Sequence, residues 1–228
     1  MTIGILLSGC GVYDGVEIQE AVLSMLAIKE AGHDYICLSV DANQHHVINH
    51  TNGEEMVESR NMLVEAARIA RGEIKNINEV DGFDIDALVI PGGFGSAKNF
   101  TTWAFNGPDG EILPEVKLFL VNLVNVGKPI CALCVSPVVL AKAFENSEVR
   151  ASMTLGTDQE KSPYDINAFH GGVEKTGASS VMKSIREINV DKKNRIVTAP
   201  CYMMEANIVD VAANIKQAIG ATIDLIKG

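Results

Sequence analysis

Two cysteines, Cys131 and Cys134, stand three residues apart in the stretch GKPICALCVSP, where an apolar run ends and a proline follows. Thiols at this spacing can form a redox disulfide, supply half of a zinc site, or include one nucleophile. An extended strand separates such residues by roughly 10 Å, whereas a disulfide needs Cα atoms within about 7 Å. The chain offers no second ligand pair with zinc spacing. We therefore predict no metal site and interpret Cys131 as a small core side chain.

Cys134 lies between the predicted strand and a helix that Pro137 can open. This is the layout of a nucleophile elbow, a sharp turn that lifts one side chain above the sheet. The helix N-terminus favours a thiolate, so we expect the pKa of Cys134 to fall below the free value of about 8.5. An inert cysteine at a strand end fits the same pattern equally well.

The elements that must position Cys134 alternate between apolar strands and amphipathic helices. Strands are predicted at TIGILL, YICLSV, DALVIPGG and PICALC, each followed by helical spacing. Such alternation is typical of an α/β protein whose mostly parallel sheet is covered on both faces. Ligands bind beyond the carboxyl ends of such strands. The loops after Leu7, after Pro91 and at Cys134 share that edge, and we expect the site there.

The stretch 149–200 is less periodic than the rest of the chain. We predict an insertion around 158–180, followed by an antiparallel pair within SIREINVDKKNRIVTA. Internal repeats and linkers are not evident, so residues 1–228 are interpreted as one domain.

Charge and cysteine usage restrict the function classes. The formal net charge of −10 argues against a nucleic-acid or anionic-membrane surface. No apolar run approaches the roughly 20 residues of a membrane helix. The first residues, MTIGILLSGCG, lack the basic region of a signal peptide. Five cysteines, an odd number, suggest reduced thiols. We therefore expect a cytoplasmic protein.

Three long motifs, SGCGVYDGVEIQEAV, PGGFGSAKN and GKPICALCVSP, carry a family resemblance that extends over nearly the whole chain. They resemble the PfpI branch of the class I glutamine amidotransferase-like superfamily, and most closely its ElbB-type glyoxalase group, also called enhancing lycopene biosynthesis proteins. The resemblance implies a flavodoxin-like three-layer sandwich and a homodimer. It also implies a Cys134 nucleophile, a Glu20 partner, and conversion of glyoxal to glycolate without metal, nicotinamide or glutathione.

Each implied site residue has a physical role. A carboxylate facing a thiolate should hold a proton, so Glu20 is expected to donate to sulfur and then shuttle protons. The amides of Gly93 and Val135 are expected to form an oxyanion hole. Five further residues are candidates for the wall of the pocket: Gly92, Cys10, Tyr13, Asp14 and Asn99. The last glycine of a dinucleotide-binding motif is replaced by Asp14, so no such cofactor is expected.

The chain departs from amidotransferases in its histidines. Neither TAPCYMMEAN nor MTLGTD contains the expected histidine, and His170 is the sole histidine after Cys134. His170 reaching the site from the insertion is a minor hypothesis. Three functions stay open: a glyoxalase acting on a small reactive aldehyde, a cysteine redox sensor, and, least favoured, a glutamine amidase.

Overall fold

A computed structural model describes residues 1–227. Its strands are β1 Thr2–Leu6, β2 Asp34–Ser39, β3 Ile74–Asn76, β4 Ala87–Ile90, β5 Ile130–Leu133, β6 Ser152–Met153, β7 Ser179–Ser180, β8 Asn189–Asp191 and β9 Ile196–Ala199. Seven of them form one sheet in the order β3-β2-β1-β4-β5-β9-β8. All neighbours in this sheet are parallel except β8 and β9, which are antiparallel as predicted. Strands β6 and β7 form a separate parallel pair.

Seven α-helices accompany the sheet: α1 Ile18–Glu30, α2 Met62–Ile69, α3 Trp103–Asn106, α4 Pro114–Asn125, α5 Pro137–Phe144, α6 Ile166–Lys175 and α7 Ile208–Lys227. Helix α1 packs on α7, and α4 packs on α5, so that helices cover the sheet in the manner of a flavodoxin-like α/β fold. The predicted fold class is confirmed. Within residues 1–227, none of the helices is long and apolar enough to cross a membrane.

The central strands β4, β5 and β9 are buried along their whole length, as the uninterrupted apolar sequences of β4 and β5 predict. Ile90 lies opposite Ala132, and Leu133 lies opposite Ala199. This register brings the loops after the three strands to the same edge of the sheet. The loop after β1 reaches that edge too, because β1 pairs with β4 in parallel.

Helix α1 differs from the prediction in the face that it buries. Helical spacing predicts an apolar face made of Ile18, Ala21, Val22, Met25 and Leu26. Ala21 and Met25 are buried, but Ile18, Val22 and Leu26 are 43%, 47% and 51% exposed. The polar side chains of Glu20 and Ser24 are fully buried instead. The spacing is therefore right for two positions and wrong for three, because the helix turns the Glu20 carboxyl group towards the sheet. This carboxyl belongs to the candidate site.

Helix α6 and strand β3 were not predicted. Helix α6 contains two adjacent glycines, each of which lowers helix propensity by about 1 kcal/mol. Gly172 is needed there because a Cβ would lie 2.8 Å from the ring of Trp103. Strand β3 has only three residues and is not fully buried, so it lacks the apolar run that reveals a strand.

Candidate active site

Cys134 occupies a strained corner between β5 and α5. Its φ of +56° lies in the left-handed region, which costs a residue other than glycine about 1–3 kcal/mol. The corner is held by hydrogen bonds: the Cys134 amide donates to the Ala199 carbonyl at 2.9 Å, and the Ser136 amide donates to Leu133 at 2.9 Å. The Ser136 hydroxyl also donates to the Pro91 carbonyl at 2.7 Å. The side chain of Cys134 is therefore fixed beyond the end of β5, as an elbow requires.

Glu20 reaches the same point from α1. Its Oε2 accepts the Gly92 amide hydrogen at 2.7 Å, and its Oε1 accepts that of Tyr202 at 3.2 Å. The carboxyl and the thiol both border Gly92: a Cβ added there would lie 2.7 Å from Oε2 of Glu20 and 2.9 Å from the Cys134 sulfur. Glu20 is fully buried, and Cys134 is 5% exposed. The structure thus brings the two predicted side chains together. Backbone hydrogen bonds hold the Glu20 carboxyl and the main chain of Cys134 in position.

The protonation of this pair follows from its burial. Desolvation, followed by the charge of Glu17, raises the pKa of Glu20 to about 8, although the Gly92 and Tyr202 amides and Cys134 act in the opposite direction. Glu20 is therefore a neutral acid at pH 7. Desolvation and then Glu20 raise the pKa of Cys134 well above its ordinary value. The predicted lowering of the Cys134 pKa is wrong, because burial outweighs the helix N-terminus.

Two glycines allow the close approach of the backbone. At Gly92, an added Cβ would lie 2.4 Å from the Cβ of Cys134 and 2.7 Å from Oε2 of Glu20. Gly93 has a φ of +100°, a conformation that side chains other than glycine rarely adopt. The amides of Gly93 and Val135 act on the Cys134 sulfur and lower the pKa of the thiol. Their role as an oxyanion hole stays a prediction.

The sulfur faces a narrow cavity, here called the inner cavity. Its volume is about 20 Å³, room for roughly one water molecule. Its wall consists of Val12, Glu17, Gly93, Phe94, Cys134, Val135, Tyr164, Phe169, Tyr202 and Met203. The ring of Tyr164 meets that of Phe94 at 6.0 Å and that of Phe169 at 6.4 Å, both edge-on. These aromatic contacts give the inner cavity a largely apolar wall.

A wider outer cavity of about 420 Å³ adjoins the inner one. Four residues belong to both walls: Val12, Glu17, Tyr164 and Tyr202. The outer wall also includes Tyr13, Ser162, Pro163, Met204, Glu205 and Ala206. Tyr13, a predicted pocket residue, is thus placed at the outer cavity rather than beside the sulfur.

The four other predicted pocket residues line neither cavity, and of these Gly92 lies between Cys134 and Glu20 instead. Asn99 is buried and connects loops: its Nδ2 donates to the carbonyls of Ser8 at 2.9 Å and Asp14 at 2.8 Å. Asp14 accepts the amide hydrogen of Ile48 at 2.6 Å through Oδ2. Cys10 is half-buried, and burial raises its pKa. Their assignment to the pocket wall is corrected, because Asn99 and Asp14 hold the glycine-rich loop in place instead.

His170 also lies off the wall of the inner cavity. The ring is buried on α6, with Nε2 hydrogen-bonded to the Gly156 carbonyl at 3.2 Å, while the adjacent Phe169 faces the cavity. Cys131 is fully buried, and desolvation raises its pKa to about 12, which agrees with a core side chain. The five cysteines are free thiols. Within the described part of the chain, no group of three or more His, Cys, Asp or Glu side chains could hold a metal ion.

Sequence reasoning missed several residues of the cavity walls. The sequence presents Glu17 as an ordinary first-turn acid, but Glu17 lines both cavities and caps α1, accepting the Glu20 amide hydrogen at 2.6 Å. Two glutamates three residues apart at a helix start were the available signal. Tyr164 lies on the irregular segment before α6, where periodicity offers no guide.

A strained cysteine beyond a parallel strand, paired with a buried glutamate from the first helix, defines an elbow-type α/β protein. The chain belongs to the DJ-1/PfpI family, whose model matches residues 10–200.

Curated relatives support this membership. The chain is 40% identical over 225 residues to the ES1 protein homolog, mitochondrial, of Rattus norvegicus, covering 97% of this chain and 81% of the relative. It is 41% identical over 207 residues to the glutamine amidotransferase-like class 1 domain-containing protein 3, mitochondrial, of Homo sapiens, covering 89% and 75%. Since both relatives are named as mitochondrial proteins, the prediction of a cytoplasmic location is contradicted.

Solved structures show the same fold. An isoprenoid biosynthesis protein with amidotransferase-like domain from Ehrlichia chaffeensis superposes with a TM-score of 0.89 at 34% identity, covering 99% of both chains. Glyoxalase III from Candida albicans superposes with a TM-score of 0.59 at 16% identity, covering 97% of each chain. The second likeness concerns the fold alone.

Proposed function

We propose that this protein is a cofactor-independent glyoxalase of the ElbB type, which converts small 2-oxoaldehydes to 2-hydroxy acids and glyoxal to glycolate. The observation that carries the proposal is the buried pair of Cys134 and Glu20, which both border Gly92, with the Gly93 and Val135 amides acting on the sulfur. These groups are a nucleophile, an acid with a pKa of about 8, and two fixed donors. Such a set matches an electrophilic aldehyde.

The reaction begins when the Cys134 sulfur adds to the aldehyde carbon, C1. The carbonyl electron pair moves to the C1 oxygen, which the Gly93 and Val135 amides stabilise. Glu20 then gives its proton to this oxygen and becomes a carboxylate. With a pKa of about 8, Glu20 is a stronger base than an ordinary carboxylate, because a group of higher pKa holds a proton more tightly.

Glu20 next removes the hydrogen of C1, which gives an enediol, and delivers that proton to C2. The C1 oxygen returns its own proton to Glu20, and C1 becomes the carbonyl of a thioester. The thiol proton ends on the C2 oxygen. Water then adds to C1, the C–S bond breaks, and the sulfur takes a proton from that water. The net change is addition of one water to the 2-oxoaldehyde, with no external oxidant or reductant.

The inner cavity sets the expected size of the substrate. A volume of about 20 Å³ between aromatic side chains has room for one carbonyl group beside the sulfur, so the rest of a substrate has to extend towards the outer cavity. We therefore expect kcat/KM to be highest for glyoxal and to fall for methylglyoxal and then phenylglyoxal. The name of the Ehrlichia relative connects that protein with isoprenoid biosynthesis. A corresponding role for this chain is part of the proposal and is supported by that likeness alone.

A redox sensor is the second candidate function. The protonated Glu20 and the two amides place three hydrogen-bond donors around the Cys134 sulfur, a suitable environment for a sulfinate. The raised pKa of the thiol opposes it, because thiolate is the form that peroxide oxidises. A glutamine amidase is disfavoured, since no histidine lines the inner cavity within residues 1–227.

The test measures glycolate from glyoxal and ammonia from glutamine with the purified protein. Cys134→Ala should abolish glycolate formation, and Glu20→Gln should lower kcat by about 10²–10⁴-fold, the usual contribution of acid–base catalysis. Cys10→Ser is the matched control: this thiol lines neither cavity, and activity should be kept. Unchanged turnover in Cys134→Ala would refute the mechanism. Absent turnover, with two oxygens added at Cys134 under mild peroxide, would favour the sensor.

A further inference from the structure

Glu17 is built into the site as firmly as the catalytic pair. It is the N-cap of α1, where its Oε2 accepts the Glu20 amide hydrogen at 2.6 Å. Its own amide donates to the Gly92 carbonyl at 2.8 Å. The residue is thus connected to both neighbours of the Cys134 sulfur, Glu20 and the glycine loop. Movement of Glu17 away from the cavity would break the helix cap.

Glu17 is also the acid that connects the sulfur with the exterior. Among the four residues shared by the inner and outer cavities, Glu17 alone carries a carboxyl group. The inner cavity has room for roughly one water molecule, and Cys134 and Glu17 both belong to its wall. In the described chain, no lysine, arginine or histidine lines either cavity.

The proposed reaction needs a group that takes the thiol proton. Cys134 holds that proton at neutral pH, because burial raises the pKa of the thiol. Glu20 cannot accept it, because its own carboxyl remains protonated up to a pH of about 8. Burial raises the pKa of Glu17 as well, but the Glu20 and Gln19 amides act against this shift. Glu17 is the remaining carboxyl on the wall of the inner cavity.

We propose that Glu17 is a second catalytic carboxylate, which takes the Cys134 proton as the sulfur attacks. This inference rests on the proposed glyoxalase function for its substrate. As the S–C1 bond forms, the thiol proton passes to Glu17, and Glu17 delivers it to the C2 oxygen when the enediol forms. In hydrolysis, Glu17 takes a proton from the attacking water and gives it to the leaving sulfur. Glu17 ends each cycle as a carboxylate.

The groups that face Glu17 set its pH dependence. Cys134, Tyr164 and Tyr202 share the wall of the inner cavity with it, and Glu20 stands three residues away on α1. Tyr13 and Glu205 face it from the outer cavity. All of these groups are acids, so each one that ionises makes Glu17 harder to ionise. The base function of Glu17 should therefore be lost as the pH falls through its raised pKa.

The substitution Glu17→Gln separates the proton-transfer role from the capping role, because an amide oxygen still accepts the Glu20 amide hydrogen. The first probe is hydrogen peroxide, a neutral electrophile close to water in size, which converts a thiol to a sulfenic acid and releases water. If Glu17 acted only through its negative charge, it would raise the pKa of Cys134, and its removal would speed oxidation. A proton acceptor has the opposite effect, and we expect oxidation of Cys134 to slow about tenfold in Glu17→Gln.

The oxidation rate at Cys134 is followed by mass spectrometry from pH 6 to 9, and glycolate formation is measured in parallel. Glu30→Gln, at the other end of α1, is the matched control and should change neither rate. Glu17→Gln should also lower kcat about 10²-fold and remove the acidic limb of the pH profile. Faster or unchanged oxidation in Glu17→Gln overturns the proposal. Slower oxidation in a protein that makes no glycolate would uphold the role of Glu17 and refute the glyoxalase.

Discussion

The buried proton of Glu20 makes a prediction about stability that needs no substrate. The carboxyl has an ordinary pKa of 4.5 and a pKa of about 8 in the folded protein. A raised pKa means that the folded state holds the proton more tightly than the unfolded state. This contribution to the free energy of unfolding is fully present below about pH 4.5, is lost as the pH rises, and is gone above about pH 8.

The magnitude follows from the width of this window. Each pH unit in which only the unfolded chain has released the proton lowers the free energy of unfolding by about 1.4 kcal/mol. Between pH 6 and pH 8 the wild type should therefore lose about 2 kcal/mol through Glu20, once partial titration near pH 8 is included. For a chain of this size that corresponds to about 4–8 °C in Tm. The lower limit of pH 6 avoids the isoelectric point near 5.0.

Urea unfolding followed by circular dichroism at both pH values provides the assay. Glu20→Gln cannot titrate, so its stability should fall by about 2 kcal/mol less than that of the wild type between pH 6 and pH 8. The amide of this variant meets two backbone donors and costs stability at both pH values, so the pH difference is the informative quantity. Glu30→Gln should follow the wild type. An equal loss in Glu20→Gln and wild type would refute a protonated Glu20.

Two further substitutions test the packing around the site. Gly92→Ala places a Cβ 2.4 Å from that of Cys134, so we expect glyoxal turnover to be lost and stability to fall by about 1–3 kcal/mol. The control is Gly220→Ala, whose Cβ meets no atom within 4 Å and which should keep full activity. Asn99→Ala removes three hydrogen bonds between loops, two of them buried, and should lower the free energy of unfolding by about 2–3 kcal/mol in urea titrations. Exposed Asn122→Ala should change it by less than about 0.5 kcal/mol, and equal losses would contradict the assigned role.

The sequence predicts the sheet, and the edge at which the loops of the site meet, because apolar strands that alternate with helices can form few arrangements other than a parallel sheet covered by helices. Cys134 and Pro137 mark the elbow, and the register of β5 against β9 then places the sulfur. The family resemblance identified Glu20 as its partner. Hydrophobic spacing alone would have placed Ile18 and Val22 in the core, although both are exposed.

The remaining features depend on tertiary contacts that no local pattern contains. The pKa of Cys134 was predicted to fall, but full burial of the pair reverses the direction. Tyr164 reaches the cavity from an irregular segment, and Tyr202 contributes its backbone amide, which has no sequence signature. The sequence does not distinguish Glu17 from other first-turn acids, and its position on the walls of both cavities is visible only in the structure.

The hydrogen bond from the Tyr202 amide to Glu20 joins residues that are 182 positions apart. During synthesis, α1 leaves the ribosome long before β9 and the segment that follows it, so Glu20 must wait for its second donor. A nascent chain that ends before Tyr202 contains Cys134 but lacks one of the two backbone amides that hold the Glu20 carboxyl. We therefore expect the Glu20 carboxyl to be fully positioned only after Tyr202 has left the ribosome, and chains that stop before this residue should not convert glyoxal.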